Sequence, residues 1–425
     1  MQISIKNIGK IKNAIVNIDS ITVIAGENNT GKSTIGKTLF AIFNSFCDVQ
    51  RQIRHERESS IRRALLTLYI GALHADSDFD EIKIVGENLL KLTGEVNEED
   101  IKREILKHIN KEIVEDTIDG NMLKEICYRI KDILTVSNNH LLNSILNKNL
   151  QSEFNDQICN IFTKELGEVK LKIKEAEITV DINEDRVSEI ENKSGLSLHT
   201  EVIYIDDPFV LDDIEAMNSV LSLPFFTNKS LPHRRHLEEQ LFWKKGRNSL
   251  IDQILIEKKF KTLYMKLSSI CSGSLVRKGN KGFFYKKDDN DVALDVRNLS
   301  AGLKTFVILK TLIDKGLVEN NGTVILDEPE IHLHPKWQLI FAELIVLLQK
   351  EFKLHILLNT HSPYFLRAIQ VYSAKYGIAD TCKYYLAEVK NNQSVIEDIT
   401  ENIDKAYQKL AQPLQVLADE EWAND

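Results

Sequence analysis

Apolar and polar residues alternate near the start of the chain in a pattern that predicts three strands, a loop and a helix. The alternation has a period of two over residues 3–5 and 14–18, and a third apolar stretch runs from Ile21 to Gly26. Apolar residues then recur at helical spacing from about Lys32 to Phe46. The first fifty residues therefore read as a β-β-β-loop-helix unit.

The pattern changes between Gln50 and Leu166, where glycine and proline nearly vanish and Ile and Leu recur at helical spacing. Because no heptad is sustained, this segment is predicted to be a packed helical insertion rather than a long coiled coil. Two short alternating segments around Val169 and Ile178 then predict a β-hairpin.

The remaining pattern predicts strands separated by helices. A buried strand covers 201–207, a mainly helical stretch runs to about Cys271, and a β segment with several turns reaches Arg297. Helices over 300–315 and 335–351 alternate with strands over 322–327 and 355–360, which implies a parallel sheet of α/β type. A short β pair and a helix follow. The predicted segments are 1–49, 50–166, 167–297, 298–371 and 372–425.

The amino-acid composition is that of a globular protein with a hydrophobic core. The chain has 425 residues, of which 43% are hydrophobic and 28% charged, so it can bury a substantial core. No apolar run approaches the ~20 residues of a membrane helix, and the N-terminus lacks the apolar core of a secretory signal. The five cysteines are scattered and form no CxxC pair, which excludes a zinc ribbon or disulfide scaffold and indicates a reducing cytoplasm.

The segment GENNTGKS, Gly26 to Ser33, lies where a phosphate-binding loop must lie, after a strand and at the start of a helix. Glycines let backbone N–H groups close around a phosphate, and the helix N-terminus adds partial positive charge. The Lys32 ammonium can reach the β- and γ-phosphates, and the Ser33 hydroxyl can ligate Mg²⁺. The predicted nucleotide-binding residues are Gly26, Glu27, Asn28, Asn29, Thr30, Gly31, Lys32, Ser33 and Thr34.

A second candidate element is the apolar strand TVILDE, which ends in two carboxylates. Asp327 is predicted to hold Mg²⁺ beside the phosphate loop, and Glu328 to polarise the attacking water. Taken alone, a strand ending in two acids is equally consistent with an ordinary buried strand. The order of its neighbours favours the site: Ser300 caps a helix upstream, and a downstream strand ends before His361, whose imidazole can contact a γ-phosphate.

The four segments GENNTGKS, LSAGL, ILDEPEIHLHP and NTHSP together resemble the head domains of ABC and SMC-type ATPases. The phrase DEPEIHLHPKWQ followed by THSPYFLRA narrows the resemblance to the AAA15 or OLD-like ATPases, and among them to ATPase subunits of two-gene anti-phage systems such as the Septu and retron-associated ATPases. This resemblance implies an α/β head whose mixed sheet has antiparallel N-terminal strands and a parallel core. It also implies ATP and Mg²⁺ as ligands.

The resemblance further implies a composite active site. In such ATPases a serine-glycine loop of one head, here Ser300 and Gly302, caps the nucleotide bound by another head, so a homodimer or higher homo-oligomer is expected. Glu328 would be the catalytic base and His361 the switch histidine. In this chain VIYIDDPFVLDD places Asp206 and Asp207 where these heads usually carry a glutamine, so either a carboxylate joins the Mg²⁺ shell or the correspondence is displaced.

The sequence gives little support for other metal chemistry. His332 and His334 have metal-like spacing, but they lie in the segment expected to face the partner head. Only about sixty residues follow His361, fewer than the ~100 of a Toprim nuclease, and they hold no glutamate and DxD cluster of that type. A nuclease partner of HNH or Toprim type is therefore expected to be a separate polypeptide.

A basic stretch from Asn228 to Lys287 stands out in a chain whose net charge is −9. Four acids oppose fifteen basic residues, and aromatic residues are interleaved, as in sequence-independent nucleic-acid binding. A partner-docking surface and a solvated face remain alternatives. The basic residues are Lys229, Arg234, Arg235, Lys244, Lys245, Arg247, Lys258, Lys259, Lys261, Lys266, Arg277, Lys278, Lys281, Lys286 and Lys287.

Three functional interpretations follow. The leading one is a cytoplasmic, Mg²⁺-dependent ATPase whose nucleotide-gated association regulates a nuclease in phage defence. The alternative is an SMC-like, DNA-binding ATPase that repairs or clamps DNA, although the long heptad-bearing arm typical of that class is absent. The third is an ATP-binding sensor that hydrolyses little and releases a toxin.

Overall fold

A computed structural model describes residues 1–71, 79–92, 97–108, 120–163, 165–193, 195–212, 233–243, 260–278, 282–287 and 292–423. Contacts divide the chain into two compact units. The first comprises Met1–Cys47 and the described residues from Leu146 onward, and the second comprises Asp48–Ile145. The domain boundaries proposed from the sequence, including the insertion over 50–166, stay predictions. Most of the predicted helical stretch between 208 and 271 lies outside the described residues.

Fourteen strands are found in the described part of the chain. Eleven form one sheet in the order β6-β5-β4-β1-β2-β14-β13-β3-β12-β11-β7, and β8 to β10 form a separate antiparallel sheet. The strands are β1 (Gln2–Ile8), β2 (Ile11–Asn17), β3 (Ile21–Gly26), β4 (Gly167–Ile173), β5 (Ala176–Asn183), β6 (Arg186–Glu191), β7 (Ile203–Ile205), β8 (Gly273–Arg277), β9 (Phe283–Lys287), β10 (Ala293–Asp295), β11 (Thr323–Asp327), β12 (His355–Thr360), β13 (Lys383–Lys390) and β14 (Gln393–Asp398).

The large sheet is mixed, which confirms the predicted fold class. Its N-terminal strands pair antiparallel, whereas β13, β3, β12, β11 and β7 run parallel. The C-terminal β pair lies within this sheet rather than beside it, because β13 pairs with β3 and β14 pairs with β2. The last β hairpin of the sheet therefore joins the antiparallel half to the parallel core.

Helices cover the sheet and form the second unit. The longer ones in the described residues are α1 (Lys32–Phe46), α2 (Val49–Gly71), α3 (Phe79–Leu89), α4 (Glu98–His108), α5 (Gly120–Thr135), α6 (Asn138–Phe154), α7 (His233–Glu238), α8 (Lys261–Ile270), α9 (Ala301–Asp314), α10 (Pro335–Phe352), α11 (Pro363–Tyr376) and α12 (Asp404–Ala423). Short turns of 3-10 helix occur at Pro208–Leu211, Val296–Asn298 and Ala379–Thr381, and a π-helical turn at Glu239–Trp243.

The main core lies on one face of the parallel strands. Ile205, Leu326 and Ile356 meet Leu309 of α9 and Phe341 of α10, and all five side chains are buried. The phosphate-loop helix α1 packs on the opposite face, where its Gly36 lies against β7 and β11. The parallel strands are thus covered on both sides, as their nearly continuous apolar sequences require.

The second unit has its own apolar core. Ile and Leu side chains at helical spacing on α2 to α5 are buried together, among them Ile61, Leu89, Ile105 and Ile130. Packing of this kind accounts for the helical periodicity of the segment without a coiled coil. Across the described chain, no helix combines the length and the apolar character needed to cross a membrane.

Candidate nucleotide-binding site

The phosphate loop connects a fully buried strand to α1. Gly31 precedes the helix with φ of 85°, a left-handed conformation that favours glycine, and a Cβ there would lie 3.0 Å from Ser394 Oγ. Lys32 is 3% exposed, and its ammonium donates hydrogen bonds to the carbonyls of Gly26 (2.8 Å) and Glu27 (2.7 Å). The loop is therefore closed around a buried cation at a helix N-terminus.

Of the other loop residues, Thr30 and Asn29 make hydrogen bonds within the chain beside the cavity, whereas Glu27 and Asn28 do not line the cavity. Thr30 donates to the Glu27 carbonyl at 2.8 Å, and the Asn29 side-chain oxygen accepts from Lys10 Nζ at 2.7 Å. Glu27 and Asn28 are exposed and lie outside the cavity over the loop, and Glu27 pairs with Lys409 at 3.5 Å. Their predicted contact with nucleotide stays a prediction.

A cavity of about 380 Å³ opens over the loop, and residues distant in sequence complete its lining. Glu328 is one of them. Others carry no sequence motif, since they come from the β1–β2 turn and from the segment before β4. The lining residues are Gly9, Lys10, Asn29, Thr30, Gly31, Lys32, Ser33, Thr34, Gln157, Cys159, Ile161 and Glu328.

The acidic strand end meets the loop through Glu328. Its Oε1 lies 3.2 Å from Lys32 Nζ, and its Oε2 lies 3.3 Å from Nδ1 of His361. Glu328 has φ of 50°, a left-handed conformation that costs a non-glycine residue on the order of 1 kcal/mol or more. Its N–H donates to the Asn359 carbonyl at 3.0 Å, which holds the backbone in place. The strained residue thus links the loop lysine to the histidine.

Asp327 is buried and its carboxylate is oriented by two neutral donors. Tyr204 donates its hydroxyl to Oδ2 at 3.1 Å, and Asn359 donates its amide to Oδ1 at 2.9 Å. An ionised carboxylate offers about four acceptor positions, so capacity for further ligands remains. The sequence pattern marked Asp327, but it did not mark the two residues that orient it.

Glu330 is a further residue that the sequence reasoning missed. It is 2% exposed, and its Oε1 accepts a short hydrogen bond from Thr360, the residue before His361. Burial raises the pKa of the Glu330 carboxyl above its ordinary value. The DEPE sequence offers a signal in retrospect, since this acid follows the two at the strand end.

Comparison with known proteins identifies the family of this site. The model of the AAA_15 family, described as an AAA ATPase domain, matches residues 1–366. The chain belongs to the AAA_15 family. The resemblance to AAA15-type ATPases is thereby confirmed, and the phosphate loop, acidic strand and His361 all lie within the matched region.

Two curated relatives align with short parts of the AAA_15 chain. The Retron Ec83 probable ATPase of Escherichia coli is 38% identical over 87 residues, 18% of this chain and 16% of that protein. The Retron Vc95 probable ATPase of Vibrio cholerae serotype O1 biovar El Tor is 34% identical over 91 residues, 19% of this chain and 17% of that protein. The chain thus spans about a sixth of the length of the relatives it matches.

Solved structures similar to the AAA_15 chain include SMC heads. An SmcHead bound to the C-winged helix domain of ScpA has a TM-score of 0.43 at 11% identity, covering 93% of this chain and 96% of that one. The SMC head domain from Thermotoga maritima has a TM-score of 0.38 at 10% identity, covering 93% and 97%. Likeness at this level carries no argument about function.

Ser300 and Gly302 of the AAA_15 domain lie at the start of α9, outside the cavity over the phosphate loop. Ser300 is exposed and accepts the Leu303 N–H at 3.4 Å as an N-cap. Gly302 is buried, and a Cβ there would lie 3.1 Å from both the His332 carbonyl and the Trp337 ring. Its small size therefore serves packing within its own chain.

Asp206 and Asp207, which follow strand β7, have local partners. Asp206 Oδ2 lies 3.1 Å from His233 Nε2 and 2.7 Å from Arg234 Nε, and Asp207 caps the following 3-10 turn. Glu153 lies 2.7 Å from His233 Nδ1. Burial opposes charge on His233, but its hydrogen bonds to Asp206 and Glu153 raise its pKa to about 9.

The two histidines of the DEPEIHLHP segment have structural contacts. His334 caps α10 by accepting the Lys336 N–H at 3.3 Å, and His332 packs edge-on against Phe209 with ring centroids 5.3 Å apart. Among the described residues, no group of three His, Cys, Asp or Glu side chains is arranged to hold a metal ion.

Mg²⁺ would instead be shared between protein and nucleotide. Ser33 lines the cavity, and Asp327 is a buried carboxylate beside Glu328, so both supply the hard oxygen ligands that Mg²⁺ prefers. Mg²⁺ usually retains several waters and uses only one or two protein ligands with phosphate oxygens. The residues present fit that arrangement.

Proposed function

We propose that this AAA_15 chain binds ATP and hydrolyses it with Mg²⁺. The observation that carries the proposal is the contact between the buried loop cation and the strained acid, Lys32 to Glu328, in the lining of the cavity over the phosphate loop. Membership of a family of AAA ATPase domains supports it. The whole protein's activity is part of the proposal, since its curated relatives align over short segments only.

Each residue then has a role that follows from its chemistry. The N–H groups of the loop and the Lys32 ammonium bind phosphate oxygens, which leaves Lys10 and Gln157, also in the cavity lining, to contact the rest of the nucleotide. Glu328 orients and polarises the attacking water, and His361 holds the Glu328 carboxylate. Ser33 and Asp327 would hold Mg²⁺, which supplies neutralisation of charge on the phosphates when bound.

Two substitutions test this division of roles. Lys32→Ala should abolish ATP binding, because it removes the buried cation of the loop. Glu328→Gln should retain binding and stop hydrolysis, because it removes the base and keeps the shape of the side chain. Binding is measured with a fluorescent ATP analogue and turnover by phosphate release. Lys37→Ala, on the same helix but outside the cavity, is the matched control. Normal turnover by Glu328→Gln would refute the assigned base.

We further propose that the active site is completed by a second copy of the chain. Ser300 is exposed and does not line the cavity of its own chain, as a residue acting on a partner's nucleotide would require. The buried Gly302 makes a poor probe, since any side chain there would meet Trp337. Ser300 can be changed without losing the helix cap, because Asp and Asn both cap helices well.

Comparing Ser300→Asp with Ser300→Asn therefore separates the effect of a negative charge at this position from the effect of losing the helix cap. Ser300→Asp should fold and bind ATP yet lose hydrolysis, because its carboxylate repels the partner's γ-phosphate, whereas Ser300→Asn should retain more activity. Mixing Ser300→Asp with Lys32→Ala should restore some turnover, since one of the two composite sites in each mixed dimer is intact. Failure of every mixture would indicate that each chain acts alone.

The biological role that we propose is regulation of a nuclease partner in phage defence. It rests on the sequence resemblance to two-gene anti-phage ATPases, and the names of both curated relatives, probable ATPases of retrons, are consistent with it. Co-expression with the product of the neighbouring gene should give a complex whose nuclease activity changes when Glu328→Gln replaces the wild type. A product that neither co-purifies nor changes activity would contradict this role.

The alternative, DNA binding in an SMC-like manner, rests on the small antiparallel sheet. The hairpin formed by β8 and β9 carries basic residues beside aromatic rings, with Arg277 5.9 Å from the Phe283 centroid and Lys278, just after β8, 5.4 Å from that of Phe284. Elsewhere in the basic stretch, Arg234 pairs with Asp206, and Lys266 pairs with Glu343 at 2.6 Å. Lys229, Lys244 and Lys245 are among its members that lie outside the described residues.

The hairpin can be tested without touching the nucleotide site. Lys278→Glu combined with Lys287→Glu should leave ATP turnover unchanged and abolish DNA binding, whose affinity in the wild type should fall steeply between 50 and 200 mM salt as counterion release becomes less favourable, by about ten-fold or more. Lys390→Glu, on a strand of the main sheet, serves as a charge control. DNA affinity unaffected by the double reversal would exclude this surface.

A further inference from the structure

Tyr204, on strand β7, contacts the acidic end of β11 on the face of the sheet that α1 covers. In the parallel register Tyr204 pairs with Ile325, and Asp327 follows two residues later on the same face. The Tyr204 hydroxyl reaches Asp327 Oδ2 at 3.1 Å. Because an ionised carboxylate only accepts hydrogen bonds, the phenol must be the donor. The contact therefore fixes the rotation of the Asp327 side chain together with Asn359.

A glycine in the phosphate-loop helix makes room for this contact. A Cβ at Gly36 would lie 3.0 Å from the Tyr204 hydroxyl oxygen and 3.1 Å from Ile325 Cγ2. Glycine within a helix costs about 1 kcal/mol relative to alanine, so its place in α1 has a structural reason. The helix that begins at Lys32 and the strand that ends at Asp327 thus approach each other around the phenol.

The ring of Tyr204 is held from its other side. It is 1% exposed and stacks on the His233 imidazole, with centroids 4.2 Å apart and planes inclined by 22°. His233 is in turn fixed between Glu153 (2.7 Å) and Asp206 (3.1 Å). Three separate segments of the chain therefore converge to hold one side chain behind Asp327.

We propose that Tyr204 is a positioning residue that orients the Asp327 carboxylate toward the metal-bound nucleotide, and that the Glu153, His233 and Asp206 cluster holds Tyr204 in place. The inference rests on the proposed function, because it assigns Asp327 to Mg²⁺. It also gives a role to Asp206 that needs no contact with the metal. Asp206 would act through His233 and Tyr204 instead.

Tyr204→Phe tests the proposal because it removes one hydroxyl and keeps the ring. Nucleotide affinity without Mg²⁺ should stay within two-fold of wild type, whereas the Mg²⁺ concentration that half-maximally enhances nucleotide binding should rise about ten-fold, as for other partners of metal ligands. A fluorescent ATP analogue titrated with Mg²⁺ reports this midpoint without any turnover. In hydrolysis assays kcat at limiting Mg²⁺ should fall, and excess Mg²⁺ should restore part of it.

Tyr385→Phe is the matched control. Tyr385 is also 1% exposed in the same sheet, but its hydroxyl accepts the Asn17 N–H at 2.9 Å, away from the site. A Mg²⁺ midpoint equal in Tyr204→Phe, Tyr385→Phe and wild type would overturn the inference while leaving ATP binding intact. Absence of Mg²⁺-dependent ATP binding in the wild type would instead overturn the proposed function.

Gly36→Ala provides a second route if Tyr204→Phe does not fold. Alanine favours the helix, yet its methyl group would lie 3.0 Å from the Tyr204 hydroxyl oxygen, so the phenol must shift slightly and the hydrogen bond to Asp327 should weaken. The midpoint for Mg²⁺ should again rise several-fold, and a protein that folds with an unchanged midpoint would contradict the proposal. In the double variant the two shifts should be less than multiplicative, because both act on the same hydrogen bond.

Discussion

The two faces of strands β7, β11 and β12 differ sharply although they are built from adjacent residues. Leu326 pairs in register with Ile205 and Leu358, and these side chains enter the main apolar core. One residue later, Asp327 pairs with Asn359 on the face toward α1, where hydrogen bonds replace apolar contacts. The same strands therefore carry stability on one face and the candidate chemistry on the other.

The alternation explains how a buried carboxylate is tolerated inside a parallel sheet. Burial of an unpaired charge is costly, but Asp327 accepts hydrogen bonds from donors on β7 and β12 and lies at the strand end, next to Glu328, which lines the cavity. On the other face nothing polar is needed, so close packing decides the energy. Substitutions on the two faces should consequently separate activity from stability.

The largest effect is expected from Asp327→Asn on the polar face. The change removes the charge that would hold Mg²⁺ and keeps the side-chain volume, so hydrolysis should fall about 1000-fold, on the order of 4 kcal/mol. The unfolding midpoint in urea should change little by comparison. Phosphate release and urea unfolding, measured on the same preparation, check the expected loss of activity and the expected retention of stability. A loss of stability as large as the loss of activity would show that the two faces do not have separate roles.

Leu326→Ala should have the opposite effect, lowering stability while leaving nucleotide binding by the folded protein intact. Removing a buried side chain from the apolar face should lower the free energy of unfolding by about 3 kcal/mol. At low temperature the folded fraction should retain nucleotide affinity, because the substituted side chain does not face the cavity. Leu326→Met conserves volume and should cost less than about 1.5 kcal/mol. Weakened ATP binding by folded Leu326→Ala would show that the two faces are not independent.

A smaller effect should come from Glu343, an acid on the apolar side of the sheet. It is 5% exposed, and burial opposes its charge, but Lys266, Lys375 and Tyr376 donate to its carboxylate and lower its pKa to about 2. A lowered pKa stabilises the fold above the ordinary value of 4.5, and this contribution is lost as the pH falls toward 2.

Glu343→Gln should therefore cost about 2 kcal/mol of unfolding free energy at pH 7, below the upper bound on the order of 3 kcal/mol that the pKa sets. The difference between wild type and variant should shrink steadily below pH 4.5. Urea unfolding at several pH values measures it, with Glu351→Gln, at a half-buried position near the end of the same helix, as the control. A difference independent of pH would mean that packing, rather than charge, explains the cost.

Local sequence determined much of this protein because its key motifs are short. A glycine-rich loop between a strand and a helix needs only its own residues to form, so GENNTGKS predicted the loop at Lys32. Strand and helix periods likewise predicted the parallel core strands and the strand ending at Asp327, whereas the mixed character of the sheet followed only from the family resemblance. The family, too, could be inferred from these segments, and the match over residues 1–366 confirms it.

Tertiary structure decided which distant residues complete the motifs. The strand at Lys383–Lys390 pairs with the strand that precedes the phosphate loop. Gly9 and Ile161, far apart in sequence, line the same cavity. No local pattern encodes such pairings, because strand order depends on which edges meet during folding. In the sequence, Tyr204 is simply one residue of an apolar strand, and nothing marks its hydroxyl as functional. Only packing against Gly36 and His233 aims it at Asp327, since the direction of a side chain is set by its neighbours in space.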